Sequence, residues 1–254
     1  MIPKVIHYCW FGKNKIPDQY KTFMKTWEKY CPDYEIVQWN ENNFDVSSNP
    51  YCREAYKAGQ WAFVSDYARL KIIYEEGGIY LDTDVELVRN IDALLQNKAY
   101  IGFQNDYEVN TGLGFGAERH NPAIGTMLAM YGHRHFADNN GGYDRVPCPA
   151  TNTAALLACG LKNGKTGSRQ IQRLDGITVY PEEYFNPMNW NNGKIQLTEN
   201  TYTIHHYAGS WSSAQTKKMA RIKKIMPDWV LRGHDNKVAQ KDIEKIMKGL
   251  AGRG

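Results

Sequence analysis

The sequence predicts an α/β domain with a mixed sheet. Strand-like apolar runs alternate with helical patterns from residue 5 onward, and Gly or Pro residues separate them. The chain has 254 residues, of which 42% are hydrophobic and 23% are charged, and this composition is typical of a globular protein with a sizeable core. We therefore expect one main α/β domain.

A βαβ unit is predicted at the start of the chain. Val5 to Trp10 reads as a buried strand, and Pro32 breaks the following helix before the strand YEIVQW. Asp18 is placed to cap that helix. The helix carries an apolar side made of Tyr20, Phe23, Met24, Trp27 and Cys31.

The later elements follow from turn residues and apolar periodicity. Pro50 and Gly59 delimit a second helix, and WAFVSDYARLKIIYEEGG predicts a third that ends at Gly77 and Gly78. Strands are then expected in IYLD, VELV, AYIGFQ and NTGLGFGAE. Asn121 opens another helix, PATNTAALLACG forms the next, and TYTIHHYAGSW contains the last strand.

Composition and spacing exclude several classes of protein. The five cysteines are far apart and form no CxxC pair, which argues against a disulfide framework and a cysteine-built zinc site. No apolar run approaches the roughly 18 residues of a spanning helix. The first residues lead directly into a strand pattern without a signal-peptide profile, so the sequence predicts a cytoplasmic protein.

Basic residues concentrate near the C-terminus. Residues 217–254 contain eleven Lys or Arg against four Asp or Glu, although the net charge of the chain is only +4. The segment TKKMARIKKIMPDWVLR has apolar residues at helical spacing with lysines between them. It is either a packing helix with a solvated basic face or an anchor that contacts anionic lipid at a membrane surface.

The stretch YEEGGIYLDTDVE places acidic residues at the end of a buried strand. Asp82 and Asp84 project to the same side of an extended segment, together with Glu86 if the strand continues. Because neighbouring buried carboxylates repel each other, we expect a cation there. Oxygen ligands suit Mg²⁺ or Mn²⁺. The alternative is that the aspartates cap a turn or pair with arginines.

A second polar stretch, HHYAGSW, lies at the end of the last predicted strand. His205 and His206 face opposite sides of a strand, so only one of them easily joins a given site. An imidazole added to carboxylates shifts the preference toward Mn²⁺. The alternative is a purely structural hydrogen bond. Gly209 permits close approach of a phosphate, to which Ser210 or Ser212 can donate.

Taken together and in order, IPKVIHYCWFG, WAFVSDYARLKIIYEEGGIYLDTDVE, NTGLGFGAE and HHYAGSW resemble glycosyltransferase family 32, sugar transferases with a DxD motif. The likeness covers residues 1–212 and extends distantly to the clostridial glucosylating toxins. It implies a GT-A-like, Rossmann-like domain over residues 1–212, followed by a basic helical extension over residues 213–254. It also implies metal-dependent transfer of a hexose from a nucleotide-sugar, most simply UDP-hexose, with retention of anomeric configuration.

The resemblance assigns the nucleotide-sugar site. Trp10 matches an aromatic residue that stacks on uracil, with the backbone of Cys9 pairing with the base; the alternative for Trp10 is a place in the core. Asp66 and Arg69 match a pair that holds the donor sugar, and their spacing puts them on one helix face. The alternative for them is a surface ion pair. Asp82 would also contact the ribose.

The resemblance also assigns the metal ligands Asp82, Asp84 and His206, with Asp84 the firmest. The position of His206 is acidic in the toxins, which weakens that assignment. Trp211 matches an aromatic residue near the donor phosphates, beside Gly209 and Ser210; the alternative for Trp211 is a place in the core.

The acceptor side of the reaction is less defined. No acidic residue stands out as a nucleophile, which favours front-face attack by an acceptor hydroxyl. Asn110 and Asn152 are candidates to orient the sugar or acceptor, or else turn and helix caps. Aromatic residues could form an acceptor wall in residues 138–147 and 184–194. They are Tyr143, Tyr184, Phe185 and Trp190.

The expected acceptor is a glycan or lipid-linked glycan in surface polysaccharide synthesis, and no nucleic-acid partner is predicted. Two alternatives remain. One is a glycan- or nucleotide-binding module of the same fold with weak or no turnover. The other is a haloacid-dehalogenase-like phosphohydrolase with Asp82 as nucleophile, although that class usually carries its motif on the first strand.

Overall fold

The computed structural model describes residues 1–138, 141–207 and 228–251. The helices are α1 (Asp18–Tyr30), α2 (Pro50–Lys57), α3 (Trp61–Glu76), α4 (Pro122–Ala129), α5 (Cys148–Ala158), α6 (Gly164–Gly167) and α7 (Asp228–Ala251). The strands are β1 (Val5–Cys9), β2 (Glu35–Trp39), β3 (Gly78–Tyr80), β4 (Val85–Leu87), β5 (Ala99–Phe103), β6 (Val109–Asn110), β7 (Phe115–Ala117), β8 (Gln172–Leu174), β9 (Ile177–Tyr180) and β10 (Thr203–His205). Short 3-10 helices occupy Asp92–Gln96, Thr111–Leu113 and Glu182–Tyr184.

A mixed sheet forms the centre of the fold. Within the described ranges it has eight strands in the order β2-β1-β3-β7-β5-β9-β8, with β6 paired to β5. Strands β2, β1 and β3 run parallel, whereas β7 is antiparallel to both β3 and β5. The predicted α/β class with a mixed sheet is confirmed.

The glycine pair after α3 places β3 beside β1. Gly77 caps the helix with a φ of 69°, and Gly78 has a φ of 94°. A Cβ on Gly78 would lie 2.8 Å from the carbonyl oxygen of Val5. Only glycine fits this close approach, since both the backbone angle and the space exclude a side chain. The predicted end of the helix at these glycines is confirmed.

The acidic segment after β3 is not one continuous strand. β3 ends at Tyr80, and residues 81–84 turn the chain, with the Val85 amide donating to the Asp82 carbonyl at 2.9 Å. β4 then pairs antiparallel with β10 in a separate two-stranded sheet. The predicted alternation of acidic side chains along one strand is therefore wrong, because the chain leaves the central sheet between Asp82 and Asp84.

Buried side chains cover both faces of the central sheet. One core cluster joins the sheet to α2, α3, α4 and α5, and a second contains Trp27 of α1 together with residues of β4. Trp27 is fully buried, and its Nε1 donates to the carbonyl oxygen of Val85 at 2.8 Å. This bond fixes the start of β4. Helix α1 therefore supports the acidic turn, residues 81–84, at its C-terminal end.

The helix α7 is attached to the sheet through a buried carboxylate. Asp106, only 1% exposed, accepts from Arg232 Nη2 at 2.8 Å and from Asn236 Nδ2 at 2.9 Å. The predicted boundary at residue 212 and the most basic part of the predicted extension lie outside the described residues. Among the helices described, none is both long and apolar enough to span a membrane.

Candidate active site

Two parallel strands bring the predicted nucleotide and metal residues to one edge of the sheet. The backbone amide of Leu81 donates to the carbonyl oxygen of His7 at 3.0 Å, which extends the pairing of β3 with β1. Cys9 and Asp82 therefore lie at the adjoining carboxyl ends of these strands. Burial raises the pKa of the Cys9 thiol, and the nearby charge of Arg69 opposes that rise. Ligands of α/β proteins commonly bind at this edge.

Arg69 joins the acidic motif to α3. Its Nη2 lies 3.2 Å from Asp66 Oδ1 and 3.2 Å from Asp82 Oδ1, and its guanidinium sits 5.0 Å from the centre of the Tyr80 ring. The Tyr80 hydroxyl donates to Asp82 Oδ1 at 2.9 Å. We call Asp66, Arg69, Tyr80 and Asp82 the Arg69 cluster. The predicted Asp66–Arg69 pair is buried rather than on the surface.

Burial strengthens the coupling among these charges. Burial raises the pKa of Asp66 and that of Asp82, while Arg69 opposes both shifts. The proximity of Asp84 raises the pKa of Asp82 further. For Arg69, burial lowers the pKa, but the surrounding acidic groups outweigh it and raise the pKa well above its usual value. Arg69 is thus a fixed cation between the carboxylates of Asp66 and Asp82. The negative charge of Asp82 favours the binding of another cation.

A polar wall lies behind Arg69. Thr111 Oγ1 accepts from Asn152 Nδ2 at 3.1 Å and lies 3.5 Å from Arg69 Nη1. Asn110 Oδ1 accepts from the Gly112 amide at 2.6 Å and so caps the following 3-10 turn. The structure therefore brings both predicted asparagines to the site. Asn152 Oδ1 is buried without a hydrogen-bond partner in the described part of the chain.

Cys148 belongs to this wall and was missed from the sequence. Its Sγ lies 3.8 Å from Arg69 Nη1, and its thiol donates to the Asp66 carboxylate. Cys148 is the first residue of α5 and precedes Asn152 by four positions, so the two share a helix face. That spacing is the signal that could have found it.

Asp82, Asp84 and His205 form a candidate metal centre. One potential ligand atom from each lies within 4.8 Å of the others. His205 Nε2 is 3.2 Å from Asp84 Oδ1. Burial lowers the pKa of His205, but Asp84 outweighs it and raises the pKa overall. His205 Nδ1 is buried and has no partner among the described residues. Two carboxylates and an imidazole fit a divalent ion such as Mn²⁺.

The structure selects His205 rather than His206, which corrects the sequence-based assignment. In the β4–β10 pair His205 lies opposite Val85, and side chains of consecutive residues face opposite sides, so His206 shares a face with Glu86. Asp84 reaches His205 because it lies in the turn before β4, outside the alternation of the strand. His206 Nε2 instead lies 2.8 Å from Glu86 Oε2, and its ring stacks on Phe23 at 4.0 Å. We call Asp84, Glu86, His205 and His206 the β4–β10 cluster.

Trp10 directly follows β1 and packs against α1. Its ring meets Tyr20 edge-on at 6.0 Å, and its Nε1 donates to the Asn14 carbonyl at 2.6 Å. Burial and, to a lesser extent, the negative charge of Asp84 raise the pKa of the Tyr20 hydroxyl. Trp10 is half-buried. Its stacking role and the base contact of the Cys9 backbone stay predictions.

The other predicted positions are dispersed. Gly209, Ser210 and Trp211 lie outside the described residues, and their roles stay predictions. Phe185 is a core residue, 1% exposed and stacked on Tyr100 at 5.7 Å, and cannot serve as an acceptor wall.

The chain is similar in sequence to known glycosyltransferases. Residues 17–101 match the model of the family described as "Glycosyltransferase sugar-binding region containing DXD motif". Inositol phosphoceramide mannosyltransferase 3 of Schizosaccharomyces pombe is 35% identical over 104 residues, covering 39% of this chain and 29% of that protein. Lactosylceramide 4-alpha-galactosyltransferase of Mus musculus is 28% identical over 165 residues, covering 60% of this chain and 43% of that protein.

Among solved structures, PaToxG Glycosyltransferase superposes with a TM-score of 0.47 at 21% identity, covering 62% of this chain and 69% of that one. The chain spans less than half the length of the curated relatives named above.

Proposed function

We propose that this chain, whose residues 17–101 match the DXD-containing sugar-binding region of glycosyltransferases, transfers a hexose from a nucleotide-sugar to a glycan or lipid-linked glycan. The observation that carries the proposal is the link made by Arg69. This buried cation contacts Asp66 on α3 and Asp82 just after β3. A third acidic residue, Asp84, and a histidine, His205, offer ligand atoms within 4.8 Å of one from Asp82.

The donor we propose is a UDP-hexose. Asp82, Asp84 and His205 would hold the divalent ion, and the mixed oxygen and nitrogen ligands favour Mn²⁺ over Mg²⁺. When bound, the ion supplies positive charge that stabilises the leaving diphosphate. Trp10 would stack on the base, beside the Cys9 backbone at the end of β1.

The donor sugar would lie against the Arg69 cluster. Asp66 is held by Arg69 and by the Cys148 thiol, so its carboxylate is oriented before any substrate arrives. Asp66 and Asp82 are both ion-paired with Arg69, and neither is positioned as a free nucleophile. We therefore favour front-face attack by the acceptor hydroxyl with retention of configuration, the leaving diphosphate accepting the proton.

For the acceptor we propose a class of compound, a glycolipid or other glycan, rather than one molecule. Two similar proteins are named for reactions on inositol phosphoceramide and lactosylceramide, which supports a glycolipid acceptor. Surface polysaccharide synthesis, a cytoplasmic location and peripheral contact of the basic C-terminal segment with a membrane are proposals that rest on the sequence alone.

The experiment is a panel of UDP- and GDP-hexoses incubated with the protein and Mn²⁺ in the absence of acceptor. We expect slow release of the nucleoside diphosphate from one donor, inhibition by EDTA, and a rise in the melting temperature with that donor. Release of inorganic phosphate instead would support the phosphohydrolase alternative. Donor binding without turnover, even when acceptors are added, would support the binding module.

A further inference from the structure

A cavity lies beside α5, the helix that carries Asn152. Its volume is about 340 Å³, within the range of roughly 300 to 1,000 Å³ that is usual for small-molecule sites. Residues from 130–138 and 143–146 form one wall, and Thr151 of α5 forms another. The third wall comes from α7, which contributes Lys245, Ile246 and Gly249.

The walls of this cavity are held in place by buried hydrogen bonds. Arg134, only 7% exposed, donates to Asp144 at 2.8 Å, to Thr151 at 2.6 Å and to the Val146 carbonyl at 3.1 Å. Across the loop, Glu54 accepts from the backbone amides of residues 136 and 137 at 2.9 and 3.1 Å. The cavity is therefore preformed.

An aromatic surface is available at the cavity. The Tyr143 ring stacks on the buried Phe136 ring at 5.1 Å with 19° between the planes, and Tyr143 remains 46% exposed. Aromatic rings with a rigid backing present a large, ordered apolar surface to a ligand.

Charge at the cavity favours a neutral ligand. Arg134 and Lys245 are balanced by Asp138 and Asp144 among the lining residues. The guanidinium of Arg134 is already used by protein acceptors, so it has little capacity for a phosphate. Carboxylates beside an aromatic ring instead suit a polyhydroxyl compound, whose hydroxyls donate to the carboxylates while its C–H surface covers the ring.

Helix α5 connects the cavity to the Arg69 cluster. Thr151 faces the cavity, and the next residue, Asn152, bonds to Thr111 behind Arg69. Arg134 is also close enough for its charge to oppose, after Arg69, the rise in the pKa of Asp66 that burial causes.

We propose that this cavity binds a non-reacting sugar of a neutral glycan acceptor, an inference that rests on the proposed transferase function. The sugar lies against Tyr143, its hydroxyls donate to Asp138 and Asp144, and α7 closes the subsite. The C-terminal helix thereby takes part in acceptor recognition.

Two glycines of α7 give a matched test. A Cβ on Gly249, which lines the cavity, would meet no atom within 4 Å, and the same holds for Gly233, which lies outside the cavity on the same helix. Gly249→Trp therefore adds a bulky side chain at the cavity wall with no clash at its Cβ, whereas Gly233→Trp adds the same side chain elsewhere. Tyr143→Ala removes the aromatic surface as an independent variant.

The readouts are binding to a microarray of neutral and anionic glycans and release of nucleoside diphosphate from the donor without acceptor. We expect the wild-type protein to bind neutral glycans, and Gly249→Trp and Tyr143→Ala to weaken this by about tenfold or more. Gly233→Trp should bind normally, and both glycine variants should release nucleotide at the wild-type rate.

Neutral-glycan binding that survives Gly249→Trp and Tyr143→Ala would overturn the inference, as would preference for anionic glycans or no glycan binding by the wild-type protein. Failure of the proposed function is distinguished by the second readout, since it abolishes nucleotide release in the wild-type protein as well.

Discussion

The Arg69 cluster and the β4–β10 cluster flank the same metal centre, yet they are assembled differently. The first draws its members from residues 66–82, a contiguous stretch that includes α3, the glycine pair and β3. The second joins residues 84–86 to residues 205–206 across the pairing of β4 with β10. The Arg69 cluster therefore depends on local chain geometry, whereas the β4–β10 cluster depends on the pairing of two strands that are distant in sequence.

Their charges differ in the same way. In the Arg69 cluster a buried cation satisfies two carboxylates at 3.2 Å each. In the β4–β10 cluster each acidic residue faces a histidine, Asp84 facing His205 and Glu86 facing His206. The first cluster carries permanent charge pairs, whereas the second offers ligands that can be shared with a metal ion. Stability should therefore depend chiefly on the first cluster and metal affinity on the second.

The largest effect should come from breaking the Arg69 cluster. Arg69→Met leaves the buried Asp66 and the partly buried Asp82 without their cation and should lower the free energy of unfolding by about 3 to 5 kcal/mol. Urea denaturation measures it. Lys71→Met on the same helix is the control, because Lys71 pairs only with the half-exposed Glu75 and should change stability by less than about 1 kcal/mol. Equal effects of the two substitutions would mean that burial of the Arg69 cluster does not matter.

The next effect concerns Asp84. Asp84→Asn preserves shape but removes a charged ligand, and should reduce Mn²⁺-dependent nucleotide release by more than about a hundredfold, since even residues that only orient ligands cost roughly 10- to 100-fold. The free energy of unfolding of Asp84→Asn should differ little from that of the wild-type protein. Glu86→Gln is the matched control in the same strand, and we expect its Mn²⁺ dependence to match that of the wild-type protein. Unchanged metal dependence in Asp84→Asn would remove Asp84 from the ligand set.

Features that depend on local geometry could be predicted from the sequence, whereas those that depend on long-range pairing could not. The helix ending at Gly77 and Gly78, the i, i+3 pair of Asp66 and Arg69, and the proximity of Asp82 all depend on local geometry, and the structure agrees with each. The choice between His205 and His206 depends on how β10 pairs with β4, which no local pattern encodes.

Long-range packing explains the other omissions. Cys148 reaches Asp66 only because α5 packs beside α3, and the wall that α7 adds to the cavity beside α5 depends on Asp106, more than 120 residues away in sequence. The acidic turn also reads as a strand in the sequence, because the switch of β4 to another sheet depends on its distant partner.

Substitution of the two histidines tests which of them binds the metal ion. His205→Ala should weaken Mn²⁺ affinity by about ten- to a hundredfold, as expected when a metal centre loses a ligand or its support. His206→Ala should leave Mn²⁺ affinity near the wild-type value and cost only about 1 kcal/mol of stability, because it loses the bond to Glu86. Mn²⁺ titration of nucleotide release measures both. The reverse ranking would return the metal role to His206 and remove His205 from the ligand set.

The smallest effect should come from Gly112, where the polar wall touches the acidic motif. A Cβ at this position would lie 2.6 Å from Asp82 Oδ2 and 3.3 Å from Arg69 Nη1. Because Arg69 and Tyr80 both hold that carboxylate, it cannot swing aside without losing a bond. Gly112→Ala should thus cost about 1 to 3 kcal/mol of stability and lower nucleotide release by about tenfold. Gly233→Ala, an exposed helix position with open space, should leave release unchanged. If Gly112→Ala behaves like this control, Asp82 can shift without consequence, and the rigidity assigned to the Arg69 cluster is not what positions the metal ligand.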